Sequence, residues 1–263
     1  MTQKCLTNNT EQQARQALRE WYQSDLGQSV LIQIQTHINE VVHKIYGYQG
    51  LQIGQINPHV DLLENSGLLR KQCIDFDHTQ QGIEIQGDPC TLPIASDHIN
   101  FLLMAHTLEF TRDPYQVLRE ADRVLTADGR LIIIGFSPYS FWGLTKTILR
   151  WRRETPWNGR FYSQWRINDW LRLLNFHVTQ RQSFYLRPPL KSYIIRERIA
   201  FVEKARYTAS LLGGVHMIVA CKKTKPVTPR HQTWQRRRKV VKGSFTETAR
   251  KAARSHHSRY EKD

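Results

Sequence analysis

The 263-residue chain has no apolar run of eighteen residues or more, so no membrane-spanning helix is expected. Its first residues show no charged region leading into an apolar one, so no secretion signal is expected either. Cysteine is scarce. Cys5, Cys73, Cys90 and Cys221 are scattered, without the C-x-x-C spacing of a zinc site or a framework of pairs, which points to no metal centre and to a reducing cytoplasm. No Gly-x-Gly-x-x-Gly fingerprint is present, which disfavours a nicotinamide dehydrogenase. No internal repeat is visible.

What the chain has in excess is positive charge, and it is unevenly placed. Of 38 Lys and Arg and 23 Asp and Glu, fourteen basic and three acidic residues fall in residues 222–263. That stretch also holds Pro226, Pro229 and the run Trp234-Gln235-Arg236-Arg237-Arg238-Lys239, with too few apolar residues to bury a core. Residues 223–263 are therefore expected to be a disordered basic tail, suited to RNA, DNA or an anionic surface, or simply solubilising. The body is nearly balanced, with 40% hydrophobic residues over the whole chain and enough length for a sizeable core.

Residues 88–136 organise the body. Residues 99–105 are apolar except for Asn100 and lack an amphipathic period, as in a strand covered on both faces. Asp113, Pro114 and Gln116 form a helix start: a cap, a first-turn proline and a capping-box partner. Val117, Leu118, Ala121, Val124 and Leu125 then share one helical face, and Asp128-Gly129 is expected to end the helix. Residues 131–134 (Leu-Ile-Ile-Ile) read as a second buried strand. Strand, helix, strand in this order is a right-handed parallel crossover.

This run resembles the second half of a class I S-adenosylmethionine-dependent methyltransferase of the small type-11 kind. The resemblance rests on Asp88, Leu92 and Pro93, on His106, Leu108 and Glu109, on Asp113 and Pro114, and on Arg123, Val124, Leu125, Gly129, Leu131 and Ile133. It covers residues 40–222. It implies an α/β, Rossmann-like fold with a mostly parallel seven-stranded sheet closed by a C-terminal antiparallel hairpin. It also implies S-adenosyl-L-methionine as cofactor, and a methyl acceptor that the sequence does not identify. The Asn-Pro-Pro-Tyr or Asp-Pro-Pro-Tyr motif of nucleobase amino methyltransferases is absent after the fourth strand, so a small molecule or carboxylate is at least as good an acceptor as nucleic acid.

The resemblance also nominates site residues. Gly54 keeps the first glycine of the cofactor loop, which here reads Gly54-Gln55-Ile56-Asn57-Pro58-His59, and Gln52 stands where the family has an acidic residue. Two readings follow. In one, Gly54 makes the turn and other backbone closes the site. In the other, the cofactor has been lost and the fold is a binding module for RNA or a protein partner. Asp75 or Asp77, after the second strand, would hold the ribose hydroxyls; Asp88 would accept from the adenine amine. His106, at a strand exit, would line the pocket and contact the cofactor or substrate, with proton acceptance as a weaker candidate role.

The flanks complete the expectation. Residues 1–39 form an N-terminal helical region, with a helix over 11–21 (Ala14, Leu18, Trp21 and Tyr22 on one face) and another over 31–45. These either shield the core or cover the cofactor. A poor helix is expected over 59–69, strands over 72–75 and 82–85, and an aromatic and basic lid over 137–166. A short helix over 167–174, strands over 176–184 and 211–222, and a helix from about 190 to 206 follow.

Overall fold

The two branched runs of the sequence lie side by side at the centre of a seven-stranded sheet. A computed structural model describes residues 2–76, 82–149, 158–186 and 213–223, with side chains placed except at 2–10 and 146–149. Residues 225–263 form a second unit that lies outside the described residues, as do the helix expected over 190–206 and the tail.

In chain order the elements are helices α1 (Thr2–Tyr22) and α2 (Asp25–Val42), then strands β1 (Tyr46–Ile53), β2 (Gly67–Asp75), β3 (Ile85–Gln86) and β4 (Ile99–Ala105). A 3-10 turn (Leu108–Phe110), helix α3 (Pro114–Val124), strand β5 (Leu125–Phe136) and helices α4 (Phe141–Leu149) and α5 (Gln164–Leu173) follow, and strands β6 (Phe176–Phe184) and β7 (Val215–Lys222) finish the sheet. The order is β3-β2-β1-β4-β5-β7-β6. Pairing is parallel from β3 through β5, while β7 runs antiparallel to both β5 and β6. This is the expected α/β architecture with its closing hairpin.

Strand alternation divides the core into two layers. Phe101, Leu103, Ala105, Ile132, Ile134 and Phe136 face α1 and α2, meeting Leu18, Tyr22, Val30, Ile34 and Ile38. Leu102, Met104, Leu131 and Ile133 face the opposite way, onto Val117, Leu118, Ala121 and Val124 of α3 and Ile167 and Leu171 of α5. Both faces of β4 and of the second half of β5 are covered, which is why residues 101–105 and 131–136 carry no polar side chain. Among the described residues, no helix is long and apolar enough to cross a membrane.

Several local expectations need correction. Residues 59–69 form no helix: Asn57 Oδ1 accepts from the His59 N–H (2.9 Å), Asp61 Oδ1 from the Leu63 N–H (2.8 Å), and the Ser66 hydroxyl donates to the Leu63 carbonyl (2.6 Å). These local bonds satisfy the backbone as turns, and β2 begins at Gly67 rather than at residue 72. The third strand is only Ile85–Gln86. α3 starts as expected, with Asp113 accepting from the Gln116 N–H (3.0 Å), but the Gln116 side chain turns to the Cys90 carbonyl (3.4 Å) instead of closing a capping box. The helix also stops at Val124. Asp128 (φ 60°) and Gly129 sit within β5, where the register shifts between the Ile99–Leu125 and Phe101–Arg130 pairs. The residue pair read as a helix stop is thus an irregularity in a strand.

Arg123 explains its place in this run by what it holds. Its guanidinium donates to the carbonyls of Leu92 (3.0 Å) and Ile94 (2.8 Å) and pairs with Glu120, whose carboxylate accepts from the Leu92 N–H (2.9 Å). That hydrogen bond from Arg123 is the main reason the Glu120 carboxyl lies below its usual range. α3 thereby fastens the loop that begins at Asp88. Arg123→Ala should lower stability by roughly 1–2 kcal/mol and speed amide exchange at residues 88–94. Urea unfolding together with exchange measurements checks both effects, and a stability loss without local loosening would contradict the clamp.

Candidate active site

The strand order runs β3-β2-β1 in one direction and β4-β5 in the other, which puts the switch point between β1 and β4. Ligands of open α/β sheets bind beyond the carboxyl ends of the strands at such a point. Gly54 leaves β1 there, Asp75 ends β2, His106 leaves β4, and Asp88 follows β3. Four of the five nominated residues are therefore brought to one end of the sheet. Asp77 lies outside the described residues.

Gly54 has φ +88° and donates its N–H to the Ile74 carbonyl (3.0 Å). A side-chain carbon here would come within 2.8 Å of the Ala105 carbonyl and overlap the Arg15 guanidinium, so only glycine fits. Gln52, in place of an acidic residue, steadies this turn by donating to the Gly54 carbonyl (3.0 Å).

Asp75 is almost fully buried and accepts from four donors. Arg15 Nε (2.9 Å) and the Phe76 N–H (2.8 Å) meet Oδ1; Arg19 Nη1 (3.2 Å) and the Gln55 N–H (3.0 Å) meet Oδ2. Asp88 is half-buried and accepts from the Cys90 N–H (2.8 Å). Its charge reaches Glu11 of α1, whose carboxyl is raised first by burial and also by Asp88. Glu11 itself accepts from the Arg112 N–H (2.8 Å).

His106 is fully buried with φ 50°, its ring stacked on Phe136 at 4.2 Å between centroids. Nδ1 lies 3.0 Å from Glu109 Oε1 and Nε2 lies 2.6 Å from the Tyr22 hydroxyl. Burial would raise the Glu109 carboxyl, but the charge and hydrogen bond of His106 and the Phe136 N–H (2.7 Å) outweigh it and hold it below its usual range. An ionised carboxylate only accepts, so in the neutral ring Nδ1 carries the hydrogen, and Nε2 accepts from the Tyr22 O–H. Gly135 makes this possible: a side chain there would press on Glu109 Oε1 (2.9 Å) and on His216 Nε2 (3.0 Å).

The lid divides. Trp142 is buried against Phe136 (5.5 Å), Trp21 (5.7 Å) and Tyr185 (5.7 Å), and Phe161 packs on Phe136 (5.3 Å), so these rings wall the crevice behind His106. Tyr139, Phe141, Leu144 and Trp165 are exposed. Arg150, Trp151, Arg152, Arg153 and Trp157 lie outside the described residues.

Sequence reasoning missed Arg15, Arg19 and His216, and took Tyr22 only as part of an apolar face. The signal was present in the spacing. Arg15, Leu18, Arg19 and Tyr22 fall at i, i+3, i+4 and i+7, so two arginines share a buried stripe, and buried arginines require an anion.

His216, opposite Gly135 in the β5–β7 pairing, is buried, and burial pushes its imidazole down from 6.5 to about 4. The unfolded chain therefore binds the extra proton between these values, and stability should fall as pH drops through the window, by on the order of 3 kcal/mol. His216→Gln should flatten that part of the stability profile in urea titrations. An unchanged slope would refute burial of the neutral ring as its origin.

Comparison with known proteins agrees with this fold. Residues 58–133 match the family described as methyltransferase domain, type 11. The uncharacterized protein YafS of Escherichia coli strain K12 is 34% identical over 197 residues, 74% of this chain and 77% of that one. In fold, the chain is similar to a SAM-dependent methyltransferase of Thermotoga maritima (TM-score 0.52, 20% identity, covering 72% of this chain and 89% of that one). It is also similar to a SAM-dependent methyltransferase of Archaeoglobus fulgidus (TM-score 0.51, 14% identity, covering 72% of this chain and 93% of that one). The chain belongs to the class I S-adenosylmethionine-dependent methyltransferases of the type-11 family.

Proposed function

We propose that the chain holds S-adenosylmethionine in the strand-end crevice and methylates a protic acceptor, an oxygen or nitrogen nucleophile whose proton passes to His106. The observation that carries this reading is the convergence of Gly54, Asp75 and His106 at the switch point. The residues fit the cofactor by type. Gly54 offers bare backbone, Asp75 two adjacent oxygens for a ribose diol, and Asp88 an acceptor for an exocyclic amine.

Bound there, the cofactor supplies a methyl group made electrophilic by its sulfonium. The chain's task is to align and to dehydrate. Phe136, Phe161 and Trp142 exclude water on one side. Glu109 fixes the Nδ1–H of His106, so Nε2, which here accepts from the Tyr22 O–H, is the atom that would receive the acceptor's proton once Tyr22 moves aside.

Calorimetric titration with S-adenosylhomocysteine should show micromolar binding, weakened roughly tenfold or more by Asp88→Ala, an effect of one lost hydrogen bond to a charged group. No binding to the folded wild-type chain would sink the reading. With an acceptor found by screening, His106→Gln should cut methyl transfer by roughly a hundredfold while leaving S-adenosylhomocysteine affinity nearly unchanged. Equal loss of both would make His106 a structural residue.

A further inference from the structure

We infer that α1 occupies the crevice as an internal ligand, so that cofactor and acceptor enter only as this helix lifts, and each promotes entry of the other. This rests on the crevice being the cofactor site. The buried face of α1 runs along it: Glu11 lies toward Asp88, Arg15 and Arg19 engage Asp75, and Tyr22 reaches His106. Three of the groups the reaction needs are already taken. Both oxygens of Asp75 are bonded to arginines, the Arg15 guanidinium covers Gly54, and the Tyr22 hydroxyl holds His106 Nε2. A ribose cannot bond Asp75 while these arginines do, and an acceptor cannot reach His106 past Tyr22.

The contact is imperfect in ways that suit release. Arg15 Nη1 is buried without a partner, and the Glu11 carboxyl is raised by burial and by Asp88 beside it. α1 and α2 are separate helices. The chain breaks between α1 and α2 at Gln23 and Ser24, where Ser24 caps α2 by accepting from the Gly27 N–H (3.2 Å). α2 has its own buried face of Val30, Leu31, Ile34, Ile38 and Val42, so it stays on the sheet when α1 moves.

Coupling follows from rigidity. Arg15, Arg19 and Tyr22 sit on one helix, so freeing Asp75 also uncovers His106. A cofactor that displaces the arginines thereby raises the population able to take the acceptor, and by linkage the acceptor does the same for the cofactor.

The test is amide hydrogen exchange of the full wild-type chain with saturating S-adenosylhomocysteine, alongside calorimetry of wild type and Arg15→Ala. Exchange across residues 11–22 should become faster on binding while α2 stays protected. Arg15→Ala, which removes a competitor, should bind roughly tenfold tighter, because more of the chain is already open. Slower exchange across 11–22, with weaker binding by the variant, would overturn the inference and make α1 a cover that grips the cofactor. Absence of binding to both proteins would overturn the cofactor reading itself and this inference with it. Should Arg15→Ala fail to fold, the wild-type exchange decides alone.

Discussion

The structure around the site depends on one buried carboxylate. Asp75 ends β2 inside the protein, where an unpaired charge is not tolerated, and it is satisfied by two backbone N–H groups and two arginines. The backbone donors, Gln55 and Phe76, bend the exits of β1 and β2 toward it. The arginines draw α1 across the carboxyl ends of the strands. The course of α1 then places Tyr22 against His106 and Trp21 against Phe136 and Trp142. One acidic side chain thus sets both the shape of the first loop and the position of the N-terminal helix.

A second polar cluster is built into the other half of the crevice. Glu109 is buried, yet it stays anionic because His106 and the Phe136 N–H meet it. The antiparallel register of β5 and β7 sets His216 opposite Gly135, and the missing side chain at Gly135 leaves room for both the carboxylate and the imidazole. In a low-dielectric interior such a network is strong when satisfied and costly when broken. The two bonds to Glu109 Oε1, from His106 and from the Phe136 N–H, tie the β4 exit, the 3-10 turn and β5 together, while Glu109 Oε2 and both His216 ring nitrogens are buried without a hydrogen-bond partner. The two clusters meet at α1, which touches Asp75 with two turns of the helix and His106 with the next.

Much of this was legible in the chain. The run from β4 through α3 to β5 could be read because its signals are local: a both-faces apolar strand, an Asp-Pro start and a one-sided helical stripe. The closing hairpin was similarly legible from alternation between Phe176 and Phe184. The crossover after β1 was misread, since a weak helical pattern over 59–69 lost to Asx and hydroxyl bonds that satisfy the backbone as turns. Asp128-Gly129 was misread for a related reason. A left-handed residue ends a helix or bulges a strand equally well, and only the pairing partner decides between them.

By itself, the sequence determined the sheet, the order of its strands' chemistry and the residue types at the strand ends, because periodicity, caps and branched runs act over a few neighbouring positions. Tertiary structure decided which of those residues face one another. Asp75 is separated from Arg15 by 60 positions and Tyr22 from His106 by 84. Nothing local in the chain ties such partners together. Packing α1 over the carboxyl ends joined them, since a buried charge and a buried imidazole both had to find partners, and the inner face of the N-terminal helix carries side chains that meet both.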